Sequence, residues 1–209
     1  MTKLFARPLP VDWLRTDDWA PEELRSRGAL PEELRRSWIP LLGAGALGSA
    51  VAEMLVRGGV RRLVVVDPDI DCTASNDVLH ALERIPWDGP RLFFSASFGV
   101  GARRVLCFSA TGTSFPVTAF WEQCGQWIRE DYKELLRADL PREGVGCWHP
   151  VFPARADDVM LAAAITVKAL VRSAKLRPTT RVETYSREGT DDDFQGVRQG
   201  AGTGVHAGP

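Results

Sequence analysis

The sequence predicts an α/β protein built on a Rossmann-like parallel sheet flanked by helices, with that sheet cut short near residues 68–71. Three observations predict it. A short apolar run, Trp38–Leu42, leads straight into Gly43-Ala44-Gly45-Ala46-Leu47-Gly48. A helical pattern and then a β-rich run, Arg61–Asp67, follow that turn, which is the order of a strand–helix–strand unit with parallel strands. The composition is that of a folded domain: 209 residues, 44% apolar and 25% charged, enough to bury a sizeable core.

Each element has a local reason. Pro21-Glu22-Glu23-Leu24-Arg25 and Pro31-Glu32-Glu33-Leu34-Arg35 place proline at a first helical position with acids in the first turn, which predicts two short capping helices. Trp38–Leu42 predicts a strand, weakened at Pro40, which has no N–H for a ladder bond. Ser49–Arg57 predicts a helix with Val51, Met54 and Leu55 on one face, stopped by Gly58-Gly59. Arg61–Asp67 predicts a strand buried on both faces. Residues 77–85 predict a helix, and Arg91–Phe98 and Arg103–Ser109 predict strands separated by Gly99-Val100-Gly101. Phe120, Cys124, Trp127, Ile128 and Leu135 recur at helical spacing within 119–138. A second apolar helix opens at Asp157-Asp158 and runs to about Leu176, and a last strand spans 180–185. From Glu188 the Gly- and Asp-rich end predicts a mobile tail. The expected organisation is a helical extension (1–37), a nucleotide-binding domain (38–187) and a flexible tail (188–209).

Charge and composition exclude several functions. The formal net charge is −1, so nothing draws the chain to nucleic acid or to an anionic membrane. No apolar run approaches the roughly 20 residues that span a bilayer, and the first residues lack the apolar core of a signal peptide. Cys72, Cys107, Cys124 and Cys147 form no C-x-x-C pair, which argues against a disulfide framework or a Cys-rich zinc site. A reduced, cytoplasmic setting is expected.

The glycine turn carries the chemistry. Gly43 allows a tight turn, Gly45 lets backbone approach a phosphate, and Gly48 lets helix and strand pack closely. The helix start offers amide donors and a positive dipole end. Asp67, ending the next strand, can accept hydrogen bonds from ribose hydroxyls. A tight turn with no ligand is the plain alternative.

Three blocks carry a family resemblance. Leu42–Ala50, then Glu53–Val60, then Leu63–Asp69 resemble the ThiF/MoeB/HesA family, the bacterial relatives of ubiquitin-activating enzymes. Asp71-Cys72-Thr73-Ala74-Ser75-Asn76 resembles the family's Asp-x-Thr-x-Asn signature with one extra residue, and Ser95–Gly101 is a weaker match. The resemblance implies adenylation of the C-terminal glycine of a small ubiquitin-like protein ending in Gly-Gly, with ATP and Mg, in a homodimer. It implies nucleotide contact by Gly43, Ala44, Gly45, Gly48, Asp67 and Asp69, and makes Asp71 the catalytic, magnesium-linked acid.

One departure bears on activity. Only Pro68, Asp69 and Ile70 separate Asp67 from Asp71, whereas parallel neighbours need a crossover of about a dozen residues. The two acids therefore cannot end separate parallel strands. The family's Asn and Arg after the strand acid, and its phosphate-contacting Lys, have no matching positions. A weak or inactive adenylyltransferase is expected. An NAD-dependent oxidoreductase fits the glycine turn and Asp67 equally well but leaves 71–76 unexplained. A non-enzymatic remnant or scaffold is the third alternative.

The remaining candidates read as structural. Cys147 beside His149 could be an activated thiol, but adjacent loop residues often point apart. Cys72, Cys107 and Cys124 read as packed side chains. Arg103-Arg104 reads as a solvated strand edge, Trp121, Trp127 and Tyr132 as a helix core stripe, and Asp191–Asp193 as a solvated turn. His80 and His206 are assigned no role.

Overall fold

The computed structural model describes residues 29–66, 76–137, 154–190, 193–200 and 203–205. A short helix α1 (Glu32–Arg36) leads into β1 (Trp38–Leu42), α2 (Ala46–Arg57) and β2 (Arg62–Val66). Then come α3 (Asn76–Arg84), β3 (Arg91–Phe98), a 3-10 turn (Val100–Ala102) and β4 (Arg104–Gly112). Two long helices follow, α4 (Val117–Arg137) and α5 (Ala156–Leu176), then β5 (Thr180–Gly189), β6 (Phe194–Gln199) and β7 (Thr203–Val205).

The strands form two sheets of opposite character. β1 and β2 pair in parallel, from Trp38 opposite Arg62 to Leu42 opposite Val66, with α2 as the crossover. This is the strand–turn–helix–strand unit that the glycine pattern predicts. Pro40 sits inside β1 because β2 is that strand's partner among the described residues, and an edge strand tolerates a missing N–H. The other strands form an antiparallel sheet in the order β3-β4-β5-β6, with β7 also on β5. The short Gly99–Arg103 link leaves room only for an antiparallel return. The stretch expected to be a mobile tail contributes β6 and β7, paired with β5 at Tyr185–Gly189 and Thr180–Val182.

Helices α2 and α5 lie between the two sheets, because α5 is apolar on two faces. Ala163, Val167 and Leu170 pack on Ala50, Val51 and Leu55 of α2, with Ile39 and Leu63 of the parallel sheet behind them. Ala162, Ile165 and Ala169 pack on Val105, Cys107 and Tyr185 of the antiparallel sheet. Successive strand residues face opposite ways, so Leu106, Phe108 and Ala110 of β4 point to the far side. There they meet Leu79, Phe115, Phe120 and Cys124. Phe108 and Phe120 lie edge to face with centroids 5.3 Å apart, and Phe93 and Phe115 do so at 5.9 Å.

No described helix is long and apolar enough to cross a membrane.

Candidate functional site

The glycine turn has the backbone its sequence requires. Gly43, the first residue after β1, has φ +86°, a left-handed conformation that costs other residues about 1–2 kcal/mol. Gly48, in the first turn of α2, leaves no room for a side chain: a Cβ there would lie 2.0 Å from the carbonyl oxygen of Gly43. That is well inside contact distance, so the turn and the helix can approach this closely only with glycine at 48.

Gly45 caps α2 with extended backbone and no side-chain hydrogen bond, and no acid lies in the first turn. The helix begins at Ala46, three residues earlier than its periodicity predicts, with Gly45 as its cap. The first N–H groups of a helix have no partner within it, and here the cap residue makes no side-chain bond and the first turn holds no acid to compete for them. The amide of Ser49 closes the turn onto the Gly45 carbonyl at 2.9 Å, and its Oγ donates to the Ala46 carbonyl at 3.3 Å.

Packing fixes this turn. Leu47 belongs both to the α2–α5 cluster and to the cluster between α5 and the antiparallel sheet. Leu42 and Val66 are register partners, so β1 and β2 end side by side where the turn begins. Gly43, Ala44, Gly45 and Gly48 are therefore brought together at the end of the parallel sheet. Asp67, Asp69 and Asp71 lie outside the described residues, as do Cys72, Cys147, His149, Asp191, Asp192, His206 and the 21–25 helix. Among the described residues no group of three acids, histidines or cysteines could hold a metal.

Other candidates find ordinary places, with two corrections, at Arg104 and Tyr132. Arg104 is not a solvated edge residue. Its Nη1 donates to Asp131 Oδ1 at 2.9 Å, and its guanidinium lies 5.1 Å from the centre of the Trp127 ring. Burial raises the pKa of Asp131 above the usual carboxylate range, while Arg104 opposes the shift. Cys107 and Cys124 are buried, and burial pushes both thiols up to about 12, so neither is a nucleophile at neutral pH. Trp121 and Trp127 pack against the aromatic core, whereas Tyr132 is exposed. His80 is exposed on α3, 3.6 Å from Glu83.

The pattern of residues missed a buried charge cluster between β5 and α5. Glu183 is 1% exposed. Its Oε1 accepts from Arg172 at 2.5 Å, Arg181 at 2.8 Å and Gln199 at 3.3 Å. Arg172 also donates to the Tyr185 hydroxyl at 3.2 Å. Two residues along the strand, Arg187 pairs with Asp158 at the start of α5. Arg181, Glu183 and Arg187 alternate along β5, a spacing that reads as a solvated strand face; here that face lies under α5.

The fold and the turn together define an α/β protein with a Rossmann-type strand–helix–strand unit. The sequence pattern of the ThiF family matches residues 22–76, the stretch that contains β1, α2 and β2. The chain is similar to the ATP-dependent ubiquitin transferase-like protein Cap2 of Enterobacter hormaechei subsp. hoffmannii (strain UCI 50), 29% identical over 225 aligned positions. That alignment covers 78% of this chain and 37% of the relative. It is also similar to the tRNA threonylcarbamoyladenosine dehydratase of Bacillus subtilis (strain 168), 48% identical over 52 residues, or 24% of this chain and 20% of the relative. The chain thus spans little more than a third of the longer match and a fifth of the other.

Proposed function

We propose that this chain is the nucleotide-binding part of an adenylyltransferase of the ubiquitin-like-protein-activating type, and that its own turnover is very weak. The observation that carries the reading is the 2.0 Å approach of the Gly48 Cβ position to the Gly43 carbonyl. Beside it, α2 starts with neither a side-chain cap nor an acid in its first turn. This geometry suits the phosphates of ATP: Gly43, Ala44 and Gly45 would line them with backbone, and the first amides of α2 would donate to them. Asp67 and Asp69 would hold the sugar side. Asp71 would hold magnesium, which supplies charge neutralisation at the triphosphate.

The name of the Enterobacter relative supports a ubiquitin-like acceptor. The Bacillus relative is similar over only 52 residues, so it supports the nucleotide end and says little of the acceptor. The partner in this reading is a small ubiquitin-fold protein ending in Gly-Gly, met in the cytoplasm by a homodimer of this chain.

Weakness follows from the short Pro68–Ile70 link, which leaves no position for the family's Arg after the strand acid or for its phosphate-contacting Lys. Loss of one such stabilising group costs about 2.7–4 kcal/mol in transition-state binding, so loss of two leaves little turnover.

Calorimetry with Mg-ATP, run beside ATP–pyrophosphate exchange with a ubiquitin-like protein, tests both halves. The expected result is saturable heat with Mg-ATP and exchange barely above background. Absence of heat removes the nucleotide reading. Tight binding of NADH that ATP fails to displace favours an oxidoreductase instead, and fast exchange refutes the weakness.

A further inference from the structure

Charge is spread unevenly along this near-neutral chain. From Val159 to Val182 there are five basic side chains, Lys168, Arg172, Lys175, Arg177 and Arg181, and no acid. With a net charge of −1 for the whole chain, the rest of the molecule is correspondingly acidic. That stretch makes up most of α5 and the start of β5.

Helix α5 is covered on two sides, by α2 and by the antiparallel sheet, and the described residues leave its third side open. Lys168, Arg172 and Lys175 recur at i, i+4 and i+7, which sets them on one helix face. Lys168 and Lys175 are exposed, and neither has an ion-pair partner among the described residues. The Arg172 side chain is 41% exposed, yet its Nη1 is held by Glu183 at 2.5 Å and by the Tyr185 hydroxyl at 3.2 Å. The guanidinium is therefore fixed at the surface in advance, which lowers the ordering cost of a contact. At 100° per residue, Met160 and Leu176 fall at the two margins of this face, and both are exposed.

This composition selects the partner. A row of cations with no acid among them favours an acidic surface. Exposed apolar side chains beside the row gain nothing from a phosphate backbone but suit a protein contact, where Met and Arg are enriched. The broad apolar faces of α5 are spent inside the molecule, so it has none to insert into a membrane. We infer that the open face of α5 docks an acidic amphipathic helix of a partner protein, with carboxylates at the same three- and four-residue spacing. The inference rests on this helix face and not on the nucleotide reading.

Peptide binding to the full chain tests it. The probe is a fluorescein-labelled synthetic helix with one stripe of glutamate and one of leucine, run beside a version with glutamine in place of glutamate. Fluorescence anisotropy is expected to show saturable binding of the glutamate peptide and none of the glutamine peptide. K168E/K175E is expected to weaken that binding about tenfold or more, and to bind a lysine version of the peptide that the unsubstituted chain ignores. A misfolded variant could not gain that partner. Arg84→Glu, at an exposed position on α3, is expected to leave binding unchanged. The inference is overturned if the glutamate peptide does not bind, if K168E/K175E binds it as the unsubstituted chain does or gains no lysine peptide, if Arg84→Glu weakens it equally, or if a short RNA duplex binds more tightly than the peptide. Mg-ATP calorimetry reads the nucleotide proposal separately, so the two can fail independently.

Discussion

The parallel unit and the antiparallel sheet differ most in how well they are covered. The antiparallel sheet has α5 on one face and α3 and α4 on the other, and Phe108 at its centre is fully buried. Among the described residues the parallel pair has α2 on one face only. Its other face presents Trp38, 54% exposed, with Leu42 and Val64 also exposed, although parallel strands are usually covered on both sides. A two-stranded sheet alone is marginal in water. The stability of this molecule therefore resides mainly in the antiparallel half, and the glycine turn resides in the half with less to hold it.

The sharpest way to break that comparison is to truncate one aromatic in each half. Phe108→Ala empties a site lined by Phe115 and Phe120 and is expected to cost about 3–5 kcal/mol. Trp38→Ser removes an exposed ring and is expected to change stability by less than about 0.5 kcal/mol. Urea titrations of the two variants read the contrast; similar losses would show that the parallel face is covered in solution.

A smaller effect is expected at the turn. Gly48→Ala forces Gly43 and α2 apart and is expected to cost about 1–3 kcal/mol while abolishing Mg-ATP heat. Retained ATP binding in a folded Gly48→Ala protein would separate the turn from the nucleotide.

The smallest effect is a pH dependence. Asp131 has a pKa raised in the folded state by burial, so the folded protein holds its proton more tightly than the unfolded chain. Its contribution to stability is present at acid pH and is lost as pH rises from the unfolded value toward the folded one. Asp131→Asn is expected to gain stability relative to the unsubstituted protein across that window, read from urea midpoints at several pH values.

Much of this was legible in the sequence because local rules and the fold agree. Trp38–Leu42 and Arg91–Phe98 are strands with the bounds their patterns predict. The two long helices start within two residues of expectation, since their apolar repeats are long. The sheet directions were less legible, because pairing partners are set by distant residues. The short Gly99–Arg103 link was the available signal for an antiparallel return. β6 and β7 escaped notice because glycine and aspartate content favours a loop, whereas here Gly196 adopts φ +129° within a paired strand. The site was half legible: Gly43 and Gly48 do what the motif asks, while the Glu183 cluster arises only when α5 folds over β5.

Ala162, Ala163 and Ala169 of α5 are each 1% exposed or less, and they face both neighbours of that helix at once. Methyl side chains set the spacing on either side, so α5 acts as a shim of fixed thickness. Substitution at these three positions can only enlarge the side chain or, with glycine, weaken the helix. Over evolutionary drift they should tolerate little beyond serine, even though none of them belongs to the glycine turn.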